Sequence, residues 1–248
     1  MIEEILPAEV VTAAAYDDEV RTGDCLFEEE RAVIARAVAV RQREFTTVRH
    51  LARRALAGLG HPAVPILPNR RGAPQWPEGI VGSMTHCAGY RAAAVSRTEV
   101  SAAVSIDAEP NGPLPEGVLD TVTLPSERAR LAVLSDCRPD VHWDRMSFSA
   151  KEAVFKAWYP LTRRELDFDE AEIVFAPEDG SFTARLLVAG PLVGDRRVSV
   201  FPGRWHVDRG LLATAVHLPA PAMDDRKTPP GTAPVSGAPR RRPGRAGG

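Results

Sequence analysis

The chain has 248 residues, 44% apolar and 26% charged, the composition of a globular protein with room for one large domain or two small ones. The formal net charge is −2, but the last 26 residues hold six Lys/Arg against two Asp, so the body carries 25 bases against 31 acids, a balance that argues against a nucleic-acid binder. Three scattered cysteines, Cys25, Cys87 and Cys137, with no C-x-x-C pair, point away from a zinc or disulfide framework and suit a reduced, cytoplasmic setting. The opening MIEEILPAEV has no apolar core of a signal peptide, and no stretch approaches the ~18 apolar residues of a membrane span.

Residues 1 to 27 alternate short apolar pairs with acids and read as a strand and loops. Glu28 to Val40 reads as a helix, its acidic first turn suiting the positive end of the macrodipole. Phe45, Val48, Ala52, Ala55, Leu56 and Leu59 recur at helical spacing and predict a second helix, or a continuation of the first, ended by Gly58, Gly60 and Pro62. Arg41, Arg49 and Arg53 fall near one face of it. They form either a solvated basic face that balances the acidic body or a phosphate-binding face, which the guanidinium fork suits.

Residues 61 to 79 are a Pro/Gly-rich loop containing Asn69-Arg70-Arg71-Gly72, where arginines sit beside a glycine that lets backbone approach a ligand. Ile80 to Ser83 reads as a short strand, Thr85 to Gly89 as a tight polar turn and Tyr90 to Ser96 as the next strand. His86 in such a turn is either structural or a ligand. Cys87 beside it does not suggest a thiol nucleophile, because sequence neighbours rarely form such a dyad. Ala102 to Glu109 is apolar and then acidic, a buried strand emerging at Asp107. Its period of two aims Asp107 and Glu109 to the same side. Two carboxylates so close repel unless a cation lies between them or one is protonated, and hard oxygen ligands suit Mg²⁺ or Mn²⁺. The plainer reading is a strand running out into the Pro110-Asn111-Gly112-Pro113 loop, where acids are common.

Ser126 reads as the N-cap of a helix over Glu127 to Leu134, ended by Arg138-Pro139. Phe148 to Pro160, FSAKEAVFKAWYP, is a further helix, stopped by Pro160. Phe148, Glu152, Phe155, Lys156 and Tyr159 share one face, and Ala150, Ala153, Val154 and Ala157 form an opposite face built for close packing. Glu152 and Lys156, one turn apart, are either a solvated ion pair worth roughly 0.2–0.5 kcal/mol or, set against Asp107 and Glu109, one wall of a metal and phosphate site. Residues 171–176, 182–188 and 211–218 read as strands, with Asp179-Gly180 turning a hairpin between the first two, and 204–207 as part of another. From Pro219 the chain is Pro, Gly and Arg with almost no apolar mass, which predicts disorder. Mixed helices and short strands in two stretches give the α+β class.

Three runs stand in order along the chain: Gly82-Ser83-Met84-Thr85-His86-Cys87, Ser105-Ile106-Asp107-Ala108-Glu109-Pro110, and Trp143-Asp144-Arg145 leading into Phe148 to Trp158. With Phe45 to His50 and the Leu124 to Arg128 helix start, they make the sequence from roughly Arg41 to Leu218 resemble the Sfp-type 4′-phosphopantetheinyl transferases, closest to the actinobacterial, PptT-like branch. The resemblance implies an α+β fold of two similar halves related by a pseudo-twofold axis, with coenzyme A in the cleft between them. On this basis residues 1–104 form an N-terminal subdomain, 105–218 a C-terminal subdomain carrying the metal and catalytic residues, and 219–248 a disordered tail.

By the same resemblance Asp107, Glu109 and Glu152 hold Mg²⁺ against the coenzyme A pyrophosphate, and Glu152 is the general base for a carrier-protein serine. Lys156 contacts the phosphates, Arg41, Arg49, Arg70 and Arg71 hold the 3′-phosphate and adenine end, and Thr85 and His86 form a nucleotide-phosphate turn. Related sequences often carry Lys where this one has Pro68, leaving Arg70 or Arg71 to replace that contact. The implied protein is a cytoplasmic monomer acting on apo acyl or peptidyl carrier proteins, with no nucleic-acid or membrane partner. Two rival classes are a non-catalytic coenzyme-A-binding interaction protein, which has no need to keep both Glu152 and Lys156, and a metal-dependent phosphodiesterase with water as nucleophile.

Overall fold

The structure is a computed structural model that describes residues 1–18 and 25–221. Its elements in chain order are β1 (Val11–Ala15), α1 (Glu28–Ile34), α2 (Ala39–Gly58), β2 (Ile80–Cys87), β3 (Tyr90–Arg97), β4 (Ser101–Pro110), α3 (Val118–Val122), α4 (Pro125–Cys137), α5 (Trp143–Thr162), β5 (Ala171–Ala176), β6 (Ser181–Leu186), β7 (Leu192–Val193), β8 (Arg196–Arg197), β9 (Val200–Asp208) and β10 (Leu211–Pro219). The α+β class holds. A three-stranded antiparallel sheet, β1-β3-β2, carries α2, and a five-stranded antiparallel sheet, β4-β10-β9-β6-β5, carries α5. Each half is thus one 20-residue helix on an antiparallel sheet.

The two sheets meet where β2 lies beside β4, with α2 on one face of the first sheet and α5 on one face of the second. Strand alternation builds this arrangement. Ala93 and Val95 of β3 join Leu51, Ala52, Ala55 and Leu56 under α2, while Tyr90, Ala92 and Ala94 share a second cluster with Val104, Ile106 and Ala108 of β4, Ala213 of β10 and the N-terminal Met1, Ile2 and Ile5. The opposite face of β4 and β10 packs Ala103, Leu212 and Val216 against Ala150, Ala153, Val154 and Ala157. The small face expected of the 148–160 helix is therefore its sheet-facing side, and all four residues have zero exposure. Gly203 on β9 permits a further close approach, since a Cβ there would meet the Phe182 ring at 2.1 Å.

Several local expectations are corrected. The helix expected over 28–40 is broken after Ile34, because Gln42 Nε2 donates to the Ile34 and Ala37 carbonyls (3.4 and 2.9 Å) and caps α1 there. Thr85 and His86 lie in β2, not in a turn. Their strand stays laddered to β3 through His86↔Arg91 and Cys87↔Tyr90, leaving only Ala88 and Gly89 to turn, with Gly89 at φ +80°. The N-cap of α4 is Leu124, not Ser126: Pro125 starts the helix with its preset φ, and the Leu124 N–H donates to Glu127 Oε2 at 2.6 Å. Helix α5 passes Pro160 and ends at Thr162, with Arg163 in the left-handed region donating its N–H to Tyr159 O at 2.8 Å.

The 104/105 division falls within β4, which pairs with β10 from Ser101 onward. Pro219 still belongs to β10, and the Ala220 N–H donates to Val100 O at 2.9 Å, so the chain leaves the body later than 219. The expected tail from 222 lies outside the described residues.

Candidate active site

The site forms where β2, β4 and α5 meet. Alternation along β4 turns Ser105, Asp107 and Glu109 to the α5 side. Ser105 Oγ donates to Ala153 O at 2.6 Å, which fixes the helix against the strand. One register step on, Lys156 Nζ reaches Asp107 Oδ1 at 2.6 Å and Ile106 O at 3.3 Å. Thr85 ties the second sheet in: its Oγ1 donates to Asp107 Oδ1 at 3.4 Å and accepts the Ala108 N–H at 3.1 Å. The Asp107 carboxylate, only 7% exposed, therefore receives one donor from each half. Its other oxygen, Oδ2, is buried and accepts no hydrogen bond.

Glu152 stands one turn before Lys156 on the same face of α5 and makes no hydrogen bond among the described residues. Burial raises its pKa, Lys156 opposes the rise and Asp107 adds to it. Glu109 is raised by burial and by Asp107, against the pull of Arg145. Arg145 NH1 donates to Glu109 Oε2 at 3.1 Å, with its other nitrogens on the Gly112 and Pro113 carbonyls. The three carboxylates expected to hold a metal thus share one electrostatic neighbourhood. Among the described residues, however, no three His, Cys, Asp or Glu side chains already form a metal cage. The buried free oxygen of Asp107 and the hard oxygen donors around it fit a divalent cation such as Mg²⁺.

His86 points to the other side of the site. Arg41 NH1 bonds its Nε2, and Glu44 Oε2 lies 3.5 Å from Nδ1. Burial lowers the imidazole pKa, with Arg41, Lys156 and Arg91 pushing the same way and Glu44 opposing, so the ring is held neutral at pH 7. Cys87 is no nucleophile: burial, then Glu109 and Asp107, push its thiol up to about 12.

The arginines separate. Arg41 is half exposed at the site edge. Arg49 and Arg53 are buried, which overturns the solvated-face reading for these two. Arg49 donates Nε to Ile66 O at 3.0 Å, stacks its guanidinium 3.1 Å over the Phe45 ring and is pulled by burial down to about 9, still charged at neutral pH. Arg53 binds both oxygens of Glu30, at 2.8 and 3.1 Å. Arg70 and Arg71 lie on an exposed loop closed by Asn69 Oδ1, which accepts the Arg71 and Ala73 N–H groups at 2.9 and 3.1 Å. That loop reaches across to α5: Asn69 Nδ2 contacts Tyr159 OH at 3.5 Å, and Arg71 pairs with Glu165. On the opposite flank of Glu152 a cavity of about 210 Å³ is lined by Lys151, Glu152, Phe155, Leu166, Asp167, Phe168 and Ala171.

Glu44, Arg91 and Arg145 were given no site role from sequence, although Arg145 stands in one of the three motif runs. Glu44 had a signal in its i,i+3 spacing from Arg41, and Arg145 in its place before the helix motif, but Arg91 joins them only through the β2–β3 register.

Residues 28–96 match the family model described as 4′-phosphopantetheinyl transferase N-terminal domain, and residues 103–200 that of the 4′-phosphopantetheinyl transferase superfamily. The chain is 60% identical over 226 residues to 4′-phosphopantetheinyl transferase Svp of Streptomyces mobaraensis, covering 90% of this chain and 91% of that protein. It is 46% identical to PptT of Mycobacterium tuberculosis, covering 88% and 98%, and 46% identical to Npt of Nocardia iowensis, covering 87% and 99%. No helix among the described residues is long and apolar enough to cross a membrane. Two family models in tandem and relatives aligned over nearly their whole length make the chain a member of the 4′-phosphopantetheinyl transferase superfamily, enzymes that move phosphopantetheine from coenzyme A to carrier proteins.

Proposed function

We propose that this transferase works through Glu152, Lys156 and Asp107 at the junction of its two halves. The observation that carries the reading is the Lys156 ammonium 2.6 Å from Asp107 and within electrostatic reach of Glu152, Glu109 and His86. A lysine set among three acids, one of them also paired with Arg145, is an arrangement suited to a pyrophosphate that must be held and charge-balanced during transfer.

The carrier serine oxygen attacks the β-phosphorus of coenzyme A. A new O–P bond forms, the bond to the adenosine side breaks, and adenosine 3′,5′-bisphosphate leaves. A serine hydroxyl is a weak nucleophile and needs a base within reach. Glu152 takes that proton: it makes no hydrogen bond among the described residues, and it stands one helical turn from Lys156 at the site. Lys156 Nζ, fixed by Asp107 and the Ile106 carbonyl, faces the phosphoryl oxygens. Asp107, Glu109 and Glu152 are the residues that would hold Mg²⁺, which when bound supplies charge neutralisation at those oxygens. Arg41, beside the neutral His86, and the exposed Arg70 meet the anionic adenosine end, with Thr85 and His86 beneath it and Arg71 at the loop edge. Arg49 supports that end from inside, through Phe45 and the segment at Ile66. The cavity beside Glu152 receives the pantetheine arm, whose thiol end suits apolar walls such as Phe155, Leu166 and Phe168.

The test is an apo carrier domain with coenzyme A and Mg²⁺, read by intact-protein mass. A gain of one phosphopantetheine on the carrier serine is expected. No gain on acyl, polyketide and peptidyl carriers, while the folded protein binds coenzyme A, favours a non-catalytic binder. Breakdown of coenzyme A without carrier favours a phosphodiesterase.

For the carrier we assign Arg163 and Arg164, exposed and without ion pairs among the described residues, at the end of α5. Both arginines changed to Glu should raise the carrier's KM about tenfold, one tenfold step being ~1.4 kcal/mol, and leave coenzyme A affinity unchanged. If the two parameters move together, the pair has a structural role instead.

A further inference from the structure

Each half contains the same buried device. Glu30 and Glu127 are the third residues of short helices, and each folds back on its own N-cap: Phe27 N–H donates to Glu30 Oε2 at 3.0 Å, and Leu124 N–H to Glu127 Oε2 at 2.6 Å. Each also accepts a backbone N–H from a distant segment, Ile66 at 2.8 Å and Ile173 at 2.6 Å. Each binds a base from the long helix of its half, Arg53 at 2.8 Å and Lys151 at 2.8 Å. Both glutamates are at most 2% exposed.

In the C-terminal half this device sits one residue from the chemistry. Lys151 Nζ spends all three of its protons, on Glu127 Oε2, on Phe168 O at 2.6 Å and on Ala171 O at 2.8 Å. The sheet-facing side of α5 is held by Ser149 and Ala153, through Thr214 Oγ1 to Ser149 O at 2.9 Å and Ser105 Oγ to Ala153 O at 2.6 Å. Lys151 lies roughly 200° round the helix from Ser149, so it ties down the far side. Two anchors on opposite sides stop the helix rotating about its axis. Glu152, which has no hydrogen bond of its own among the described residues, takes its aim from that rotation. Two of those three bonds also reach the Phe168 and Ala171 wall of the cavity that Glu152 shares.

We infer that the buried Glu127–Lys151 pair is a positioning element that aims Glu152. The inference rests on the reading of Glu152 as the base. Removing one partner leaves a buried charge and risks the fold, so the main test removes both: Glu127→Gln with Lys151→Met keeps the volumes and an acceptor oxygen for the Ile173 N–H. Tm and circular dichroism verify the fold, and coenzyme A affinity is measured by calorimetry.

The expected result is a fall in kcat of tenfold or more, with coenzyme A Kd and carrier KM within threefold of the parent. Lys151→Arg alone, which keeps the charge and the reach, is expected to retain kcat within about threefold. A double variant with parental kcat overturns the inference. So does a loss of kcat and coenzyme A affinity in equal measure, or one that follows the loss of folded protein, because each marks a merely structural pair. If Glu152→Gln itself leaves transfer intact, it is the assignment of the base that fails, and the two failures are told apart by that variant.

Discussion

Replacing Lys156 by alanine is expected to lower the transfer rate by about 10²-fold or more, the scale set by removing one preorganised donor to a transition-state charge. Among the described residues the ammonium is the only basic group bonded to Asp107, and it opposes the rise in pKa of both Glu152 and Glu109. Its loss therefore acts twice. The phosphoryl oxygens lose a donor at the moment their charge grows, and Asp107 and Glu152 lose the cation that offsets their mutual repulsion. The loss should fall on kcat more than on coenzyme A affinity, since the arginine end of the cleft is untouched. Lys156→Arg should recover only part of the rate, because a planar fork does not reproduce a compact point charge. Single-turnover transfer to an apo carrier measures this directly, and a fall below threefold would remove Lys156 from the phosphates.

The second large effect is at Glu152. Glu152→Gln keeps the side-chain volume and takes away the base together with one carboxylate of the metal-holding set, and the expected loss is about 10²–10⁴-fold, at least the range for a positioned general base. Because Glu152 accepts no hydrogen bond among the described residues, the amide disturbs no network there, and Tm should stay near the parent value. Coenzyme A affinity measured without divalent cation should also stay close to parental. Affinity and rate lost together under that condition would make Glu152 a substrate-binding group rather than the proton acceptor.

Both expectations depend on how the halves meet, and the chain announces this unevenly. The amphipathic split of α5 was readable from its 3.6-residue period, and the shared side of Asp107 and Glu109 from the two-residue period of a strand. Neither rule says what lies opposite. The Glu152–Lys156 spacing is equally that of a surface ion pair, and only the packing of α5 on β4 brings Lys156 to Asp107. The arginines of α2 show the same limit more sharply. Their spacing suggested one face with one fate, yet Arg53 and Arg49 turn inward to Glu30 and Ile66 while Arg41 stays at the site edge. A charged side chain is stable inside only if a partner arrives, and here that partner is a glutamate 23 residues before Arg53.

The sequence by itself determined the α+β class, the two long helices, the D-x-E strand end and, through its ordered motifs, the family. Those are properties of local period and residue type. The tertiary structure alone decided that Thr85 and His86 stand in a strand, that Thr85 and Lys156 meet on a single carboxylate, that Glu109 turns to Arg145, and that each half hides a glutamate clamp. These rest on contacts between residues far apart in the chain, whose cost in desolvation and entropy is met only when the whole fold closes around them.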